Sequence, residues 1–348
     1  MPRVVGVDPG TISIDVCGLD AGELYLDLSL PTAEALADPG GFVSLLRGPS
    51  PPDLIAGPSG YGLPLVTAAS ATDEDLRLAF LAPPGEDGGI GGLRHLARVL
   101  GQSGLPVVYT PGVIHLDTVP AHRKLNRVDL GTADKVATAA LGIATQSERL
   151  SCPPGETSFL LLELGGAFTA ALAVQGGRIV DGLGGTSGPL GWRSAGAWDG
   201  EVAYLAGAVT KDLLFRGGAR FVAEETGEGS RVALAALVES AAKAARALLV
   251  ATPAPREILL SGRALEEPGV EEGLMASLAS LAPVRRLQGF ARVAKTAAQG
   301  AAILADGLAG GRWAALVDTL RLRAAGGTAL DHLVVISPAA ARRRLGLG

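Results

Sequence analysis

The chain has 348 residues, about twice the length of a typical domain, which favours two domains around a cleft. Its formal net charge of −5 argues against nucleic acid as the main partner. Although 48% of the residues are hydrophobic, every apolar run ends before the roughly 18 residues that a membrane helix needs, so no membrane partner is expected. The N-terminal stretch lacks the pattern of a secretory signal, and a cytoplasmic location is expected.

The chain opens with an apolar stretch that a Pro-Gly turn interrupts, and the same plan returns 155 residues further on. Each copy indicates an apolar strand ending in an acid, a glycine turn, a second strand, a second glycine turn and a third strand. The paired positions are Asp8 and Glu163, Gly10 and Gly165, and Gly22 and Gly177. A repeated three-strand meander predicts two similar α/β domains, each with a sheet flanked by helices.

Apolar spacing predicts the remaining elements. Helices are predicted over 32–48 with a break, 91–104, 131–150, 231–253 and 292–311, and strands over 53–60, 105–112 and 257–262. The segment 151–158, SCPPGETS, is the predicted linker. The predicted domains are therefore 1–150 and 151–310, followed by a C-terminal extension over 311–348 that packs on them and frays at its end.

The two acid–glycine turns are candidate phosphate-binding loops. In the first, Asp8 would hold Mg²⁺ while the backbone at Gly10 and Thr11 faces a phosphate. In the second, Glu163 is the candidate acid for Mg²⁺ and for catalysis. The candidate phosphate-binding positions of the second copy are Gly165, Gly166 and Thr169. The alternative is a pair of purely structural turns, but their repetition favours ATP binding.

Two other segments contain candidate binding residues. Ser261 and Gly262 end a predicted strand, where backbone donors could face an adenosine, although an ordinary strand–turn–helix is the favoured alternative. Arg193 is the one strong cation of the Gly-rich loop 182–200. Its planar guanidinium suits a carboxylate or a transferring phosphoryl group. The alternative is a surface arginine that packs on Trp192 or Trp198.

Asp134 lies early in the helix predicted over 131–150. One interpretation is a general base that faces the cleft and accepts a proton from a substrate hydroxyl. The other is an acid that complements the helix dipole in the first turn. The sequence leaves both open.

These motifs resemble those of the superfamily that contains acetate and sugar kinases, heat-shock-70 proteins and actin. The resemblance is closest to butyrate kinases and to an uncharacterised family labelled as butyrate kinases. The butyrate kinase motif NPGSTSTK corresponds to DPGTISID, which begins at Asp8, and HLGGGISIA corresponds to ELGGAFTAA, which begins at Glu163. Further along the chain, GDGPFSPERSG corresponds to GGTSGPLGWRSAG, which begins at Gly184, and EALAEGALRVLRG corresponds to KTAAQGAAILADG, which begins at Lys295. The resemblance implies two ribonuclease-H-like domains with ATP and Mg²⁺ in the cleft between them.

The resemblance also implies residue roles, and it makes a homodimer plausible. Arg193 matches the arginine that acts on the carboxylate and the phosphoryl group. The phosphate-binding positions that it matches are Asp8, Gly10, Thr11, Gly165 and Gly166. The chain departs from the pattern in three places: Glu163 replaces a histidine, the loop 57–61 lacks an arginine, and Arg263 follows Gly262 where the adenosine motif continues with glycine.

The sequence therefore predicts an ATP- and Mg²⁺-dependent phosphotransferase that acts on a small carboxylate or hydroxylated metabolite. In this hypothesis Asp8 and Glu163 organise Mg²⁺, and Asp134 serves as the base if the acceptor is a hydroxyl. A nucleotide-binding regulatory or scaffold protein without kinase activity is the main alternative. A hydrolase that transfers the phosphoryl group to water is a third.

Overall fold

The computed structural model of the protein describes residues 1–82, 90–225 and 229–347, and these residues form two mixed α/β units. The strands are β1 (Arg3–Pro9), β2 (Ser13–Asp20), β3 (Glu23–Pro31), β4 (Leu54–Ala56), β5 (Val66–Thr67), β6 (Val107–Tyr109), β7 (Ser158–Leu164), β8 (Thr169–Gln175), β9 (Arg178–Leu183), β10 (Glu257–Ser261) and β11 (Val284–Arg286). The helices are α1 (Thr32–Ala37), α2 (Pro39–Arg47), α3 (Asp73–Phe80), α4 (Ile90–Gln102), α5 (Ala121–Lys124), α6 (Ala133–Leu150), α7 (Gly200–Ala206), α8 (Ala219–Glu225), α9 (Ser230–Leu248), α10 (Val270–Leu278), α11 (Thr296–Leu308), α12 (Ala314–Leu320) and α13 (Pro338–Arg344).

The two compact units are formed from interleaved parts of the chain. Unit 1 comprises Met1–Val128, Thr132–Gly155 and Gln288–Gly348, and unit 2 comprises Asp129–Gly131 and Glu156–Leu287. The predicted linker over 151–158 contains the boundary between Gly155 and Glu156. The second unit ends at Leu287, earlier than the predicted boundary at 310, and residues 288–310 belong with unit 1.

Each unit contains one sheet that begins with the predicted antiparallel meander. In unit 1 the strand order is β3-β2-β1-β4-β6-β5, and β1, β4 and β6 are parallel. In unit 2 the order is β11-β10-β7-β8-β9, with β10 parallel to both β7 and β11. Strands β1 and β7 are buried along almost their whole length, as expected for strands that are covered on both faces.

The repeat is reproduced in the backbone of the turns. A Cβ on Gly10 would lie 2.6 Å from the carbonyl oxygen of Ser13, and a Cβ on Gly165 would lie 3.0 Å from that of Phe168. Each carbonyl belongs to the residue three positions after its glycine. In the second turns, Gly22 and Gly177 both have positive φ, 88° and 67°. The predicted pairing of the two copies is therefore present in structural detail.

Helix α11 explains why residues after 288 belong with unit 1. A Cβ on Gly300 of this helix would lie 1.8 Å from the carbonyl oxygen of Ala137 in α6. A Cβ on Gly6 of β1 would lie 2.1 Å from the backbone nitrogen of Ala302. Glycine at these two positions thus lets α11 pack backbone against backbone on the first sheet and on α6.

As far as the structure describes it, the C-terminal extension packs on the rest of unit 1. Leu347 is only 8% exposed and forms an apolar cluster with Leu78 and Leu330. Arg77 donates a hydrogen bond from Nη1 to the carbonyl oxygen of Gly346, 2.9 Å away. These contacts hold the chain end through residue 347, where the sequence predicted fraying.

The remaining predicted elements agree with the structure in type. The helix predicted over 32–48 breaks at Asp38, whose carboxylate caps α2 by accepting a hydrogen bond from the backbone nitrogen of Gly41 at 2.8 Å.

None of the described helices combines the length and the apolar character required to cross a membrane.

Buried His115 of unit 1 makes stability depend on pH. The side chain is 3% exposed, and burial lowers its pKa to about 4 from an ordinary 6.5, with the charge of Lys124 acting in the same direction. Below pH 6.5 the unfolded chain therefore binds a proton that the folded protein excludes, so stability falls as the pH falls towards 4. We expect the contribution of His115 to the free energy of unfolding to be about 2 kcal/mol lower at pH 5 than at pH 7.

The measurement is urea unfolding of the wild type and His115→Gln at both pH values. The variant should lose this part of the pH dependence, and the difference between the two proteins cancels the contributions of other groups. The exposed His95 provides a matched control, because His95→Gln should retain the wild-type slope. A His115→Gln variant with the wild-type slope would contradict the assignment.

Candidate functional site

The first acid–glycine turn lies at the end of two paired strands in unit 1. Asp8 of β1 is directly opposite Asp15 of β2, and the two residues are 7% and 1% exposed. Two buried carboxylates at adjacent positions require a cation nearby. Lys295 provides one: its Nζ lies 2.7 Å from Oδ2 of Asp15 and 2.6 Å from Oγ of Ser13.

The Asp8 carboxyl has an unusual pKa. Burial raises the pKa to about 7 from an ordinary 3.8, with the negative charges of Asp134 and Asp15 acting in the same direction. The charges of Lys295 and Lys135 oppose the increase. The ionised Asp8 is thus poorly stabilised by the protein alone, which is the state in which a carboxylate gains most from a bound cation.

Asp134 has the opposite behaviour, although it lies close enough to influence Asp8. It accepts hydrogen bonds from the hydroxyl of Thr132 and from Nζ of Lys135. Burial acts to raise the Asp134 pKa, but the charge and hydrogen bond of Lys135 and the hydrogen bond of Thr132 outweigh it, so that the pKa is lowered. Asp134 is therefore ionised at neutral pH and is a weak base, better suited to holding a cation than to removing a proton.

The residues around this turn fit a hydrated Mg²⁺ with a phosphate. Magnesium is usually held by one or two carboxylates together with water and phosphate oxygens, which Asp8 and Asp134 could supply. Three carboxylates and two ammonium groups (Asp8, Asp15, Asp134, Lys135 and Lys295) leave one negative charge when all are ionised. Within residues 1–82, 90–225 and 229–347, no group of three or more His, Cys, Asp or Glu could hold a metal ion.

The second acid–glycine turn, in unit 2, brings several predicted residues together. Glu163 is beside Ser261 in the parallel pairing of β7 with β10. A Cβ on Gly262 would lie 2.8 Å from Oε1 of Glu163, and a Cβ on Gly165 would lie 3.5 Å from it. Gly262 has a φ of 104°, and a Cβ there would also lie 2.3 Å from the carbonyl oxygen of Leu164. Only glycine fits at position 262.

The remaining phosphate-loop positions differ in accessibility. Thr11 is exposed, whereas Thr169 is fully buried at the start of β8. The Thr169 hydroxyl has no hydrogen-bond partner among the described residues. Gly166 is partly exposed in the turn between β7 and β8. The roles predicted for these residues stay predictions.

The Gly-rich loop places Arg193 beside this second turn. The backbone nitrogens of Arg193 and Ser194 both donate to the carbonyl oxygen of Ala167, each at 3.0 Å. The guanidinium carbon lies 5.8 Å from the ring centre of Phe215, which packs edge-on against Phe168 at 4.8 Å. Nε of Arg193 is buried and has no hydrogen-bond partner in the described part of the chain, which leaves a donor for a ligand.

Sequence reasoning missed three residues that organise these turns. Lys295 and Asp15 form the ion pair over the first turn. Asp129 is 5% exposed, and its carboxylate accepts hydrogen bonds from the backbone nitrogens of Gly131 and Thr186, both at 3.0 Å. It therefore anchors the start of the Gly-rich loop. For Asp15 and Lys295 the sequence contained one signal of their pairing. Asp15 takes the place of a lysine in the motif NPGSTSTK, and Lys295 takes the place of a glutamate in the motif EALAEGALRVLRG.

Solved structures with a similar fold include one propionate kinase and two acetate kinases. The propionate kinase from Francisella tularensis subsp. tularensis has a TM-score of 0.58 and 14% identity, covering 86% of this chain and 99% of that chain. The acetate kinase from Entamoeba histolytica has a TM-score of 0.57 and 11% identity, covering 80% and 87%. The acetate kinase from Porphyromonas gingivalis has a TM-score of 0.56 and 14% identity, covering 81% and 88%.

These similarities confirm the predicted fold class: a mixed α/β protein with two sheets, consistent with the duplicated ribonuclease-H-like, actin-like ATPase domains of those kinases. At such identities they show the fold alone. The chain belongs to the family described as "Protein of unknown function (DUF1464)", whose model matches residues 6–335. No curated protein matches the sequence.

Proposed function

We propose that the protein is an ATP- and Mg²⁺-dependent phosphotransferase whose acceptor is a small carboxylate, in the manner of butyrate kinases. The observation that carries the proposal is the acid–glycine turn that is built twice, with Gly10 and Gly165 each facing the carbonyl oxygen three residues later. A purely structural turn does not need an acid at the strand end in both copies. The kinase folds of the similar structures support the same class of reaction.

The residues of the proposed reaction would have distinct roles. Asp8 and Asp134 would hold Mg²⁺, which when bound neutralises charge on the phosphates of ATP. The bare backbone at Gly10 and Gly165 would bind phosphate oxygens. Arg193 would neutralise charge on the acceptor carboxylate and on the transferring group. Because the Asp134 pKa is lowered, a carboxylate acceptor that needs no base fits better than a hydroxyl.

The test is ADP production from Mg-ATP with a panel of short-chain acids and polyols. We expect acceptor-dependent turnover with an acid, and we expect Arg193→Ala to lower kcat by about a hundredfold to a thousandfold, as when one electrostatic donor is removed. The control is Arg220→Ala in the same unit, because Arg220 is exposed and forms an ion pair with Glu224. That variant should retain wild-type turnover.

Other outcomes would support other functions. Tight ATP binding without acceptor-dependent ADP would support a nucleotide-binding regulatory or scaffold protein. One observation favours this second candidate: Glu163, an acid, stands where the kinase motif has a histidine, and its carboxyl oxygens lie 3.5 Å from the Cβ position of Gly165. ADP production without any acceptor would instead indicate a hydrolase.

A further inference from the structure

Lys295 lies above the first acid–glycine turn, Asp8–Thr11, and the functional assignment so far leaves it without a role. We propose that Lys295 binds an oxygen of a polyphosphate at this turn and that the preceding segment, Phe290–Ala294, which we call the strap, holds the lysine in position. The inference rests on the proposed function in that the polyphosphate is taken to be that of a nucleotide.

The geometry leaves part of the lysine ammonium available. An ammonium has three N–H donors, and two of those of Lys295 are directed at Oγ of Ser13 and Oδ2 of Asp15. The third has no partner among the described residues. A Cβ on Gly10 would lie 3.1 Å from Nζ, so the ammonium lies directly over the bare backbone of the turn. The side chain is 40% exposed, so that a ligand can reach it.

The strap is attached to β3 through Asp27. The Asp27 carboxylate accepts hydrogen bonds from three consecutive backbone nitrogens, those of Arg292 at 2.8 Å, Val293 at 3.0 Å and Ala294 at 2.6 Å. Burial acts to raise the Asp27 pKa, but these three bonds outweigh it and the pKa is lowered. Asp27 therefore stays ionised and holds the end of the strap against β3.

The other end of the strap is held by Gln299 of α11. The side-chain oxygen of Gln299 accepts hydrogen bonds from the backbone nitrogens of Phe290 at 2.7 Å and Ala291 at 3.0 Å, and its Nε2 donates to the carbonyl oxygen of Ala294 at 2.7 Å. Between them, the side chains of Asp27 and Gln299 thus form hydrogen bonds with the backbone of every residue of the strap. A lysine that follows a backbone fixed in this way loses less conformational freedom when it binds a ligand.

The charges support a role for the pair beyond packing. Asp15 stands where the motif NPGSTSTK has lysine, and Lys295 stands where the motif EALAEGALRVLRG has glutamate. The two differences from the motifs are opposite in sign, and in this chain the two residues form an ion pair between β2 and the start of α11. The Lys295 ammonium, 3.1 Å from the Cβ position of Gly10, thus supplies a cation for an anionic ligand at the turn.

The first experiment measures binding of ATP, and of inorganic tripolyphosphate, by calorimetry with Mg²⁺ present. We expect Lys295→Met to weaken both ligands about tenfold to a hundredfold, as for the loss of one hydrogen bond to a charged group, and Lys295→Arg to recover part of the loss. The control is Lys243→Met, because Lys243 of α9 is 74% exposed and forms an ion pair with Glu239. That variant should bind both ligands as the wild type does.

The outcomes separate this inference from the proposed function. If the wild type binds ATP and Lys295→Met binds it equally well, the inference is wrong and the nucleotide function stands. If the wild type binds tripolyphosphate through Lys295 but does not bind ATP, the inference holds and the nucleotide function fails. If neither ligand binds the wild type, both are wrong.

The role of the strap is tested with Asp27→Asn, which keeps the size of the side chain but removes its charge. Looser positioning of Lys295 should weaken ATP binding at least several-fold more than AMP binding, because only ATP has the terminal phosphates. A lower melting temperature with an unchanged ratio of ATP to AMP affinity would show that Asp27 is merely structural, and it would overturn the role of the strap.

The charge exchange gives a further test. Lys295→Glu alone adds a fourth carboxylate to Asp8, Asp15 and Asp134 around the turn and should abolish tripolyphosphate binding. Adding Asp15→Lys restores one cation and one anion in the arrangement of the quoted motifs, and the double variant should recover binding to within about tenfold of the wild type. A double variant that folds with the wild-type circular dichroism spectrum but binds no better than Lys295→Glu would overturn the proposal.

Discussion

Asp8→Asn is expected to raise the free energy of unfolding of the ligand-free protein by about 4 kcal/mol at pH 8. The Asp8 pKa of about 7, against an ordinary 3.8, corresponds to that energy. The folded protein binds the Asp8 proton more tightly than the unfolded chain does, so this contribution to stability is complete below pH 3.8 and is lost as the pH rises through 7. The gain from asparagine should therefore shrink to about 2 kcal/mol at pH 5.

The same substitution should remove Mg²⁺-dependent ATP binding, because asparagine supplies no negative charge to the cation. A residue whose replacement stabilises the protein and destroys binding is typical of a functional site. Urea unfolding at pH 8 and pH 5, without ligand, measures the first effect, and calorimetry measures the second. An Asp8→Asn variant that is less stable than the wild type at pH 8 would show that burial of this carboxylate is not destabilising.

The matched control is Asp15→Asn, directly across the same pair of strands. Asp15 is as buried as Asp8, but it forms the ion pair with Lys295 at 2.7 Å and accepts a hydrogen bond from Ser13 at 2.9 Å. Its removal should lower the free energy of unfolding by about 1–3 kcal/mol, as when a buried hydrogen-bond partner is lost. The two adjacent aspartates should thus give effects of opposite sign.

Gly300→Ala is expected to destabilise the protein by more than about 3 kcal/mol or to prevent folding. The new Cβ would lie 1.8 Å from the carbonyl oxygen of Ala137, a backbone atom that can move only if α6 or α11 moves. Alanine inside a helix is normally favoured over glycine by about 1 kcal/mol. A decrease in the free energy of unfolding on Gly300→Ala would therefore by its sign alone identify the close contact.

The control for this prediction is Gly326→Ala in the same unit. A Cβ on Gly326 would meet nothing within 4 Å, and the variant should be within about 0.5 kcal/mol of the wild type. Urea unfolding compares the two variants, and failure of Gly300→Ala to fold counts as agreement. A Gly300→Ala protein as stable as the wild type would contradict the packing of α11 on α6.

Much of the fold could be predicted because it depends on local patterns. The apolar alternation of the two meanders and their glycine turns specify strands and hairpins within a few residues, and the copies at Asp8 and Glu163 confirm each other. The order of the sheets and the place of α11 could not be predicted in this way. They depend on contacts such as that of Gly300 with Ala137, between residues far apart in the chain.

The candidate site likewise has one part that the sequence predicted and another that it did not. The acids and glycines of the turns were found because their chemistry is local to one strand end. The ion pair of Asp15 with Lys295 joins residues 280 positions apart, and Asp27 bonds to a strap that begins 263 residues later, so no short motif contains either contact. The pKa of Asp8 likewise depends on burial and on charges from three separate parts of the chain.

The sequence by itself determined the duplicated meanders and the two acid–glycine turns, because strand alternation and turn chemistry act between neighbouring residues. Tertiary structure alone decided which charges surround each turn. It raised the pKa of Asp8, lowered that of Asp134 and brought Lys295 over Gly10. Electrostatic energies depend on distance and burial, and these quantities exist only once the chain has folded.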